Sequence, residues 1–161
     1  DEVLTNTIIY LYMYRNIKIM EIKVNKEISL RLMQENEAET MFQLIQENKI
    51  FLERWLDWVE FVKTPKDSIE KIQNDNLDYQ SEKSLELGIF KNNKFIGRIG
   101  FHDLKNNQAE IGYWLTGSEN GKGIITELCK ALIRYAFREM NLHCIIIKMD
   151  VENIPSRKIP E

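Results

Sequence analysis

Ala109-Glu110-Ile111-Gly112-Tyr113-Trp114-Leu115-Thr116-Gly117-Ser118-Glu119-Asn120-Gly121-Lys122-Gly123-Ile124-Ile125-Thr126 decides how this chain is read. The stretch is a strand, then a glycine-bearing loop, then the start of an amphipathic helix. That order makes a seat for a diphosphate. Gly121 and Gly123 lack Cβ atoms, so the backbone there can approach a ligand closely, and the first-turn N–H groups of the helix have no intrahelical partner. The helix dipole favours an anion at this end by about 0.3–1 kcal/mol, and Lys122 offers a point charge. On spacing alone, an ordinary strand-to-helix turn explains the same glycines.

Working outward, the helix after the loop places Ile125, Leu128, Cys129, Leu132, Ile133 and Ala136 on one face, and an apolar strand is expected from Cys144 to Val151. Upstream, Leu85–Phe90 and Phe95–Phe101 read as strands joined by Lys91-Asn92-Asn93-Lys94. A third strand, Ala109–Leu115, follows Lys105-Asn106-Asn107. Thr64-Pro65-Lys66-Asp67 supplies an N-cap, a proline at N1 and an acid at N3, which predicts a helix to about Tyr79 with Ile69, Ile72 and Leu77 on its face. Before it, Met41, Leu44 and Ile45 mark one short helix, and Phe51, Trp55, Trp58 and Val59 share a face of another. Alternation from Glu21 to Met33 predicts a hairpin around Asn25-Lys26.

Composition sets limits. At 161 residues, 43% hydrophobic and 29% charged, the chain suits one domain with a sizeable core. A net charge of −3 gives no basic footprint for nucleic acid. No apolar run approaches the roughly 20 residues that span a bilayer, so no membrane partner is expected and a cytoplasmic setting is the default. Cys129 and Cys144 sit in apolar patterns and read as buried reduced thiols rather than a disulfide or metal pair. His102 and His143 are lone histidines to which the sequence assigns no chemistry.

The Glu-Ile-Gly-Tyr-Trp-Leu strand from Glu110, the Gly-Lys-Gly-Ile-Ile-Thr loop from Gly121 and the segment Asn153-Ile154-Pro155-Ser156-Arg157-Lys158-Ile159-Pro160-Glu161 together resemble the GNAT acyltransferases. The likeness is to their RimJ/RimL branch, which acetylates protein N-termini, and it runs from Met20 onward. One departure is Ser118, which stands where the superfamily loop, Q/R-x-x-G-x-G/A, begins with Gln or Arg. The resemblance implies an α/β GNAT fold, with a mixed, mostly antiparallel central sheet flanked by helices. It implies acetyl-CoA as cosubstrate, no metal, and a primary amine as acceptor, such as the N-terminus of a ribosomal or other protein. Residues 1–19 resemble the family's acidic turn and last, tyrosine-rich strand. They are read as a strand segment displaced to the front of a domain at 20–161 that stops after the start of its last helix, by permutation or by joining of tandem copies. An unrelated leader is the other reading. A strand exchanged between protomers would give a homodimer.

The resemblance also distributes roles. Leu115, Asn120, Gly121, Lys122, Gly123, Ile124, Asn153 and Ser156 would bind the coenzyme, with the strand ending at Leu115 splayed from its neighbour at a bulge so that its backbone pairs with the pantetheine arm. Ser156 would protonate the departing thiolate, or serve only as a helix-start hydroxyl after Pro155. Glu110 would take the amine's proton, directly or through water, or be a plain strand carboxylate; Glu2 is its rival. Arg157 would meet phosphate or solvent. Trp55 and Trp58 would line an acceptor cleft with an acidic rim of Glu53, Asp57 and Glu60, although periodicity alone places at least one of these tryptophans in the core. An α-amine is about a tenth neutral at pH 7, whereas a lysine amine is neutral only at a few parts in about ten thousand, so a weak base suffices for an N-terminus. Two other functions stay open. One is acetylation of a small amine such as a polyamine, amino acid or aminoglycoside; the other is CoA binding without turnover.

Overall fold

Two asparagine pairs fold the centre of the sheet. In the computed structural model, which describes residues 20–160, Asn92 and Asn93 adopt φ of 49° and 63°, and Asn106 and Asn107 adopt 53° and 58°. Asparagine tolerates this left-handed region, and two such residues in succession suit the turn that matches the twist of a hairpin. They join β3 (Leu85–Lys91) to β4 (Lys94–Lys105) and β4 to β5 (Gln108–Leu115). At the front, β1 (Glu21–Lys23) and β2 (Ile28–Arg31) form the expected hairpin, with Asn25 Oδ1 accepting from the Glu27 and Ile28 amides at 2.8 Å. A last strand, β6 (Cys144–Ile147), completes a six-stranded sheet in the order β1-β2-β3-β4-β5-β6. All neighbours are antiparallel except β5 and β6, which run parallel. The mixed, mostly antiparallel GNAT sheet is thus present. The displaced-strand reading of residues 1–19, Glu2 included, falls outside the described residues.

Helices cover both faces. On one side lie α1 (Ala38–Glu47), the single turn α2 (Lys49–Leu52) and α3 (Pro65–Gln80); on the other lies α4 (Ile124–Glu139), followed after β6 by the turn α5 (Ile154–Arg157). Met41, Ile45, Leu52, Val59 and Ile72 pack with Phe90, Phe95 and Trp114 on the α1/α3 face. Leu128, Cys129, Leu132 and Ala136 pack with Leu87, Ile99, Phe101 and Ile111 on the α4 face. Along β5 the odd residues Ala109, Ile111, Tyr113 and Leu115 therefore face α4, and Trp114 faces α1 and α3. α3 starts as its signals indicate. The Asp67 carboxylate accepts from the Lys63 and Thr64 amides at 2.9 and 2.7 Å. No described helix is long and apolar enough to cross a membrane.

Three expectations change. The helix carrying Phe51, Trp55, Trp58 and Val59 does not exist as one piece: α2 ends at Leu52, Glu53–Trp55 is a turn, and Asp57–Phe61 is a 3₁₀ helix. A 3₁₀ segment advances by 3.0 rather than 3.6 residues per turn, so the four side chains do not share a stripe. Val59 is fully buried, whereas Phe51 and Trp58 stand about two-fifths exposed. Leu77 is 59% exposed and off the core face of α3, where the buried Asp75 takes the inward position. The strand expected to reach Val151 stops at Ile147.

Candidate active site

β6 leaves β5 halfway along. Gln108–Ile111 pair with Cys144–Ile147, but among the described residues no strand continues beside Gly112–Leu115 on that side. Their backbone faces outward between β5 and the segment after β6. The splay is therefore present, without a bulge in β5: it arises because β6 ends. Backbone donors and acceptors left in this way need partners, and an extended amide-bearing arm lying along the edge would supply them.

The cradle lies just beyond. After the 3₁₀ turn Gly117–Glu119, Gly121 and Gly123 adopt φ of 75° and 74°, and a Cβ at either would meet nothing within 4 Å. Gly123 is the N-cap of α4, and Ile124 anchors the first turn in the core. The first intrahelical bond runs from the Glu127 amide to the Gly123 carbonyl, and no described residue accepts from the amides of residues 121–126. Left-handed glycines, open space and a row of free N–H groups fit a diphosphate. Asn120 is exposed at the rim. Lys122 is not a free cation: Glu119 accepts from Lys122 at 3.1 Å and from Lys91 at 3.0 Å, and these two contacts hold the Glu119 carboxyl below its usual range. Asn48, at the end of α1, ties this loop to the opposite layer, its Oδ1 accepting from the Gly117 amide at 2.8 Å and the Thr116 hydroxyl at 3.1 Å.

Ser156 comes to the same edge from α5. Asn153 caps that turn, its Oδ1 accepting from the Ser156 amide at 3.3 Å, and Arg157 donates to the Val151 carbonyl at 3.2 Å. The Ser156 hydroxyl stands beside that of Tyr113, close enough to favour the phenolate, yet burial dominates and pushes the Tyr113 pKa up. The buried Tyr113 hydroxyl makes no hydrogen bond of normal geometry. Two hydroxyls thus meet where β5 is unpaired.

The other face of β5 is charged. Glu110 pairs with Lys148, just past β6, and its Oε1 lies 3.4 Å from His102 Nε2 on β4; His102 Nδ1 lies 3.6 Å from Glu86 on β3. Burial works against the charge of Glu110, but contact with Lys148 and His102 outweighs it and holds the carboxyl below the usual glutamate range. Contact with Glu86, then with Glu110, raises the His102 pKa against the opposing effect of burial. Two glycines make room for this row. A Cβ on Gly100 would meet the Glu86 carboxylate at 2.6 Å, and one on Gly112 would meet the His102 ring at 3.0 Å. Along the same face Trp114 packs on Trp58, ring centroids 6.3 Å apart. Trp58 therefore stands beside β5, while the half-buried Trp55 carries the Arg54 guanidinium 5.2 Å from its ring. Glu110 and Ser156 do not meet: they approach β5 from opposite faces, with its free edge between them.

The Acetyltransferase (GNAT) domain family matches residues 27–161. The chain belongs to the GNAT acetyltransferases. The ribosomal-protein-serine acetyltransferase of Escherichia coli (strain K12) is 34% identical over 140 residues, which cover 86% of this chain and 78% of that protein. The YdaF protein of Bacillus subtilis (strain 168) is 37% identical over 142 residues, 86% of this chain and 78% of its own. Among solved structures, RimL, a ribosomal L7/L12 α-N-protein acetyltransferase in complex with coenzyme A, superposes with a TM-score of 0.84 at 29% identity, covering 87% of this chain and 80% of RimL. The microcin C7 self-immunity acetyltransferase MccE, in complex with acetyl-CoA and AMP, gives 0.81 at 35% identity over 86% and 78%. This GNAT protein is an acyltransferase.

Sequence reasoning passed over His102, Glu86, Lys148, Asn48 and Tyr113. His102 shows why. Lys105 pairs with Gln108 across the Asn106-Asn107 turn, and a regular ladder counted back from there sets His102 opposite Ile111, facing α4. The register instead slips by one between His102 and Lys105, at Asp103 with φ 52°, so His102 faces Glu110. A positive φ at an aspartate with no glycine nearby leaves little trace in sequence. The cross-strand partner was the missing signal.

Proposed function

We propose that this GNAT protein transfers the acetyl group of acetyl-CoA to the α-amine of a protein N-terminus, with a ribosomal protein as acceptor, in the cytoplasm. The observation that supports this most is the unpaired edge Gly112–Leu115 running into the open amide cradle at Gly121–Thr126. It offers an extended thioester arm and its diphosphate one continuous track. Bound acetyl-CoA supplies the activated acyl carbon. The backbone of β5 orients it and polarises its carbonyl, the residue 121–126 amides hold the diphosphate, and Asn153 fixes α5 so that Ser156 reaches the thiolate with a proton. The amine enters past Trp58 and Trp114, where Glu110 and Glu86 give the face a negative bias that suits an ammonium group. RimL and the E. coli relative act, by their names, on ribosomal protein, which supports the N-terminal acceptor. The likeness to MccE at 35% identity supports a second reading, a small-molecule amine as acceptor.

The test is acetylation of a mixed panel of peptide N-termini and small amines read by mass spectrometry, with acetyl-CoA titrated calorimetrically on the same preparation. Acetylated peptide ends with untouched small amines support the proposal, and the reverse supports the MccE-like reading. Binding without product points to a CoA-binding protein without turnover. Loss of binding removes the cradle argument.

A further inference from the structure

We infer that His102 is the group that takes the proton from the acceptor ammonium, and that Glu86 and Glu110 are positioning residues that hold its ring at the free edge of β5. The inference rests on the amine-acetylation reading and assigns its proton path.

His102 sits over Gly112, the first residue of β5 without a β6 partner, and on the face that carries Trp58 and Trp114. Its side chain is 41% exposed, so an amine can reach it, whereas Glu110 is 17% exposed and already engaged by Lys148. A carboxylate engaged by an ammonium and held below its usual range is a poor proton acceptor near neutrality. An imidazole flanked by carboxylates is matched to the task. The groups around the ring are Glu86 on β3, Glu110 on β5, and Lys148 beyond β6, the last paired with Glu110 and also sensing Asp103. Arg98, further along the same face of β4, is paired with Asp75 of α3.

The proton balance closes. Neutral His102 accepts one proton from R–NH3⁺, breaking an N–H bond and giving imidazolium and R–NH2. The amine lone pair then forms the C–N bond as the C–S bond breaks with its electron pair on sulfur. The nitrogen sheds a second proton, which reaches the thiolate through Ser156, and the imidazolium returns its proton to water.

The experiment compares the unaltered protein, His102→Gln and Glu86→Gln across pH, using whichever amine the unaltered protein acetylates. An imidazole NMR titration is run alongside. The acid limb of kcat is expected to coincide with the His102 titration and to move to lower pH in Glu86→Gln, since removing that carboxylate destabilises the imidazolium. His102→Gln is expected to lose about 100-fold in kcat at pH 7. The defect should shrink to a few-fold at pH 9, where an α-amine is mostly neutral without help. Unchanged melting temperature and acetyl-CoA affinity separate this from misfolding. A wild-type acid limb retained in His102→Gln, a pH-independent defect, or a His102 titration that ignores Glu86→Gln would each overturn the inference while leaving amine acetylation standing. Failure of the unaltered protein to acetylate any amine would overturn both.

Discussion

The ion pair between Arg98 and Asp75 offers the sharpest test of how α3 is held to the sheet. Arg98 Nη2 donates to Asp75 Oδ2 at 2.6 Å, and both side chains are only 7% exposed; the other carboxylate oxygen takes Lys71, which is half exposed. The Arg98 Nε has no partner, so the guanidinium depends on Asp75 for its compensation. Asp75→Ala would leave a buried cation unpaired, a change that costs about 3–5 kcal/mol. For a domain of this size that lowers the melting temperature by roughly 6–20 °C, at about 2–4 °C per kcal/mol. Replacing both partners by apolar groups, Asp75→Leu with Arg98→Met, removes the desolvation penalty along with the attraction and is expected to bring stability back close to the starting value. Calorimetric melting of Asp75→Leu, Arg98→Met and the double variant forms a complete cycle with the unaltered protein, and Asp75→Ala is melted beside it. A loss below about 1 kcal/mol in Asp75→Ala would mean that the pair behaves like a surface contact. A double variant as unstable as Asp75→Ala would mean that the loss does not come from an unpaired buried cation. Either result refutes the reasoning.

Gly97→Ala should strike the site through the backbone: its Cβ would stand 2.1 Å from the Trp114 carbonyl oxygen and 2.9 Å from Leu115 Cα, so β4 and β5 must part at the Leu115 end of the free edge. A cost of about 1–3 kcal/mol together with weaker acetyl-CoA binding is expected, read by melting and calorimetry. The backbone amides of Lys63 and Thr64 hold the Asp67 carboxyl below its usual range. Its contribution is therefore fully present above the ordinary aspartate value of about 3.9 and is lost as pH falls through the depressed folded value. Urea melts at stepped acid pH should show a shallower decline in Asp67→Asn. Burial pushes the Cys129 thiol up to about 12, so intact-mass analysis after iodoacetamide at pH 8 should find Cys129 alkylated only after unfolding.

Much of this protein was legible because local chemistry decided it. The two asparagine turns, the Thr64-Pro65 start of α3, the apolar stripe of α4 and the glycine loop at its head each follow from the conformational limits of a few adjacent residues. Tertiary packing overrode the pattern elsewhere. The 51–59 segment carried a helical period but broke into a turn and a 3₁₀ helix, which buries Val59 and sets Trp58 on Trp114. Asp75 displaced Leu77 as the inward residue of α3 because Arg98 lies beneath it.

The sequence by itself determined the family, the strands β3 to β5, the glycine loop at the head of α4 and the candidacy of Glu110 and Ser156, since all of these are written in short contiguous motifs. Only the tertiary structure decided who stands beside whom at the site. A one-residue slip at Asp103 turned His102 from the α4 face to the face that carries Glu110 and Trp114, and the early end of β6 left Gly112–Leu115 without a strand partner on that side among the described residues. Side chains alternate every residue along a strand, so a partner across the ladder is fixed by register, and register depends on pairings that no single stretch of chain contains.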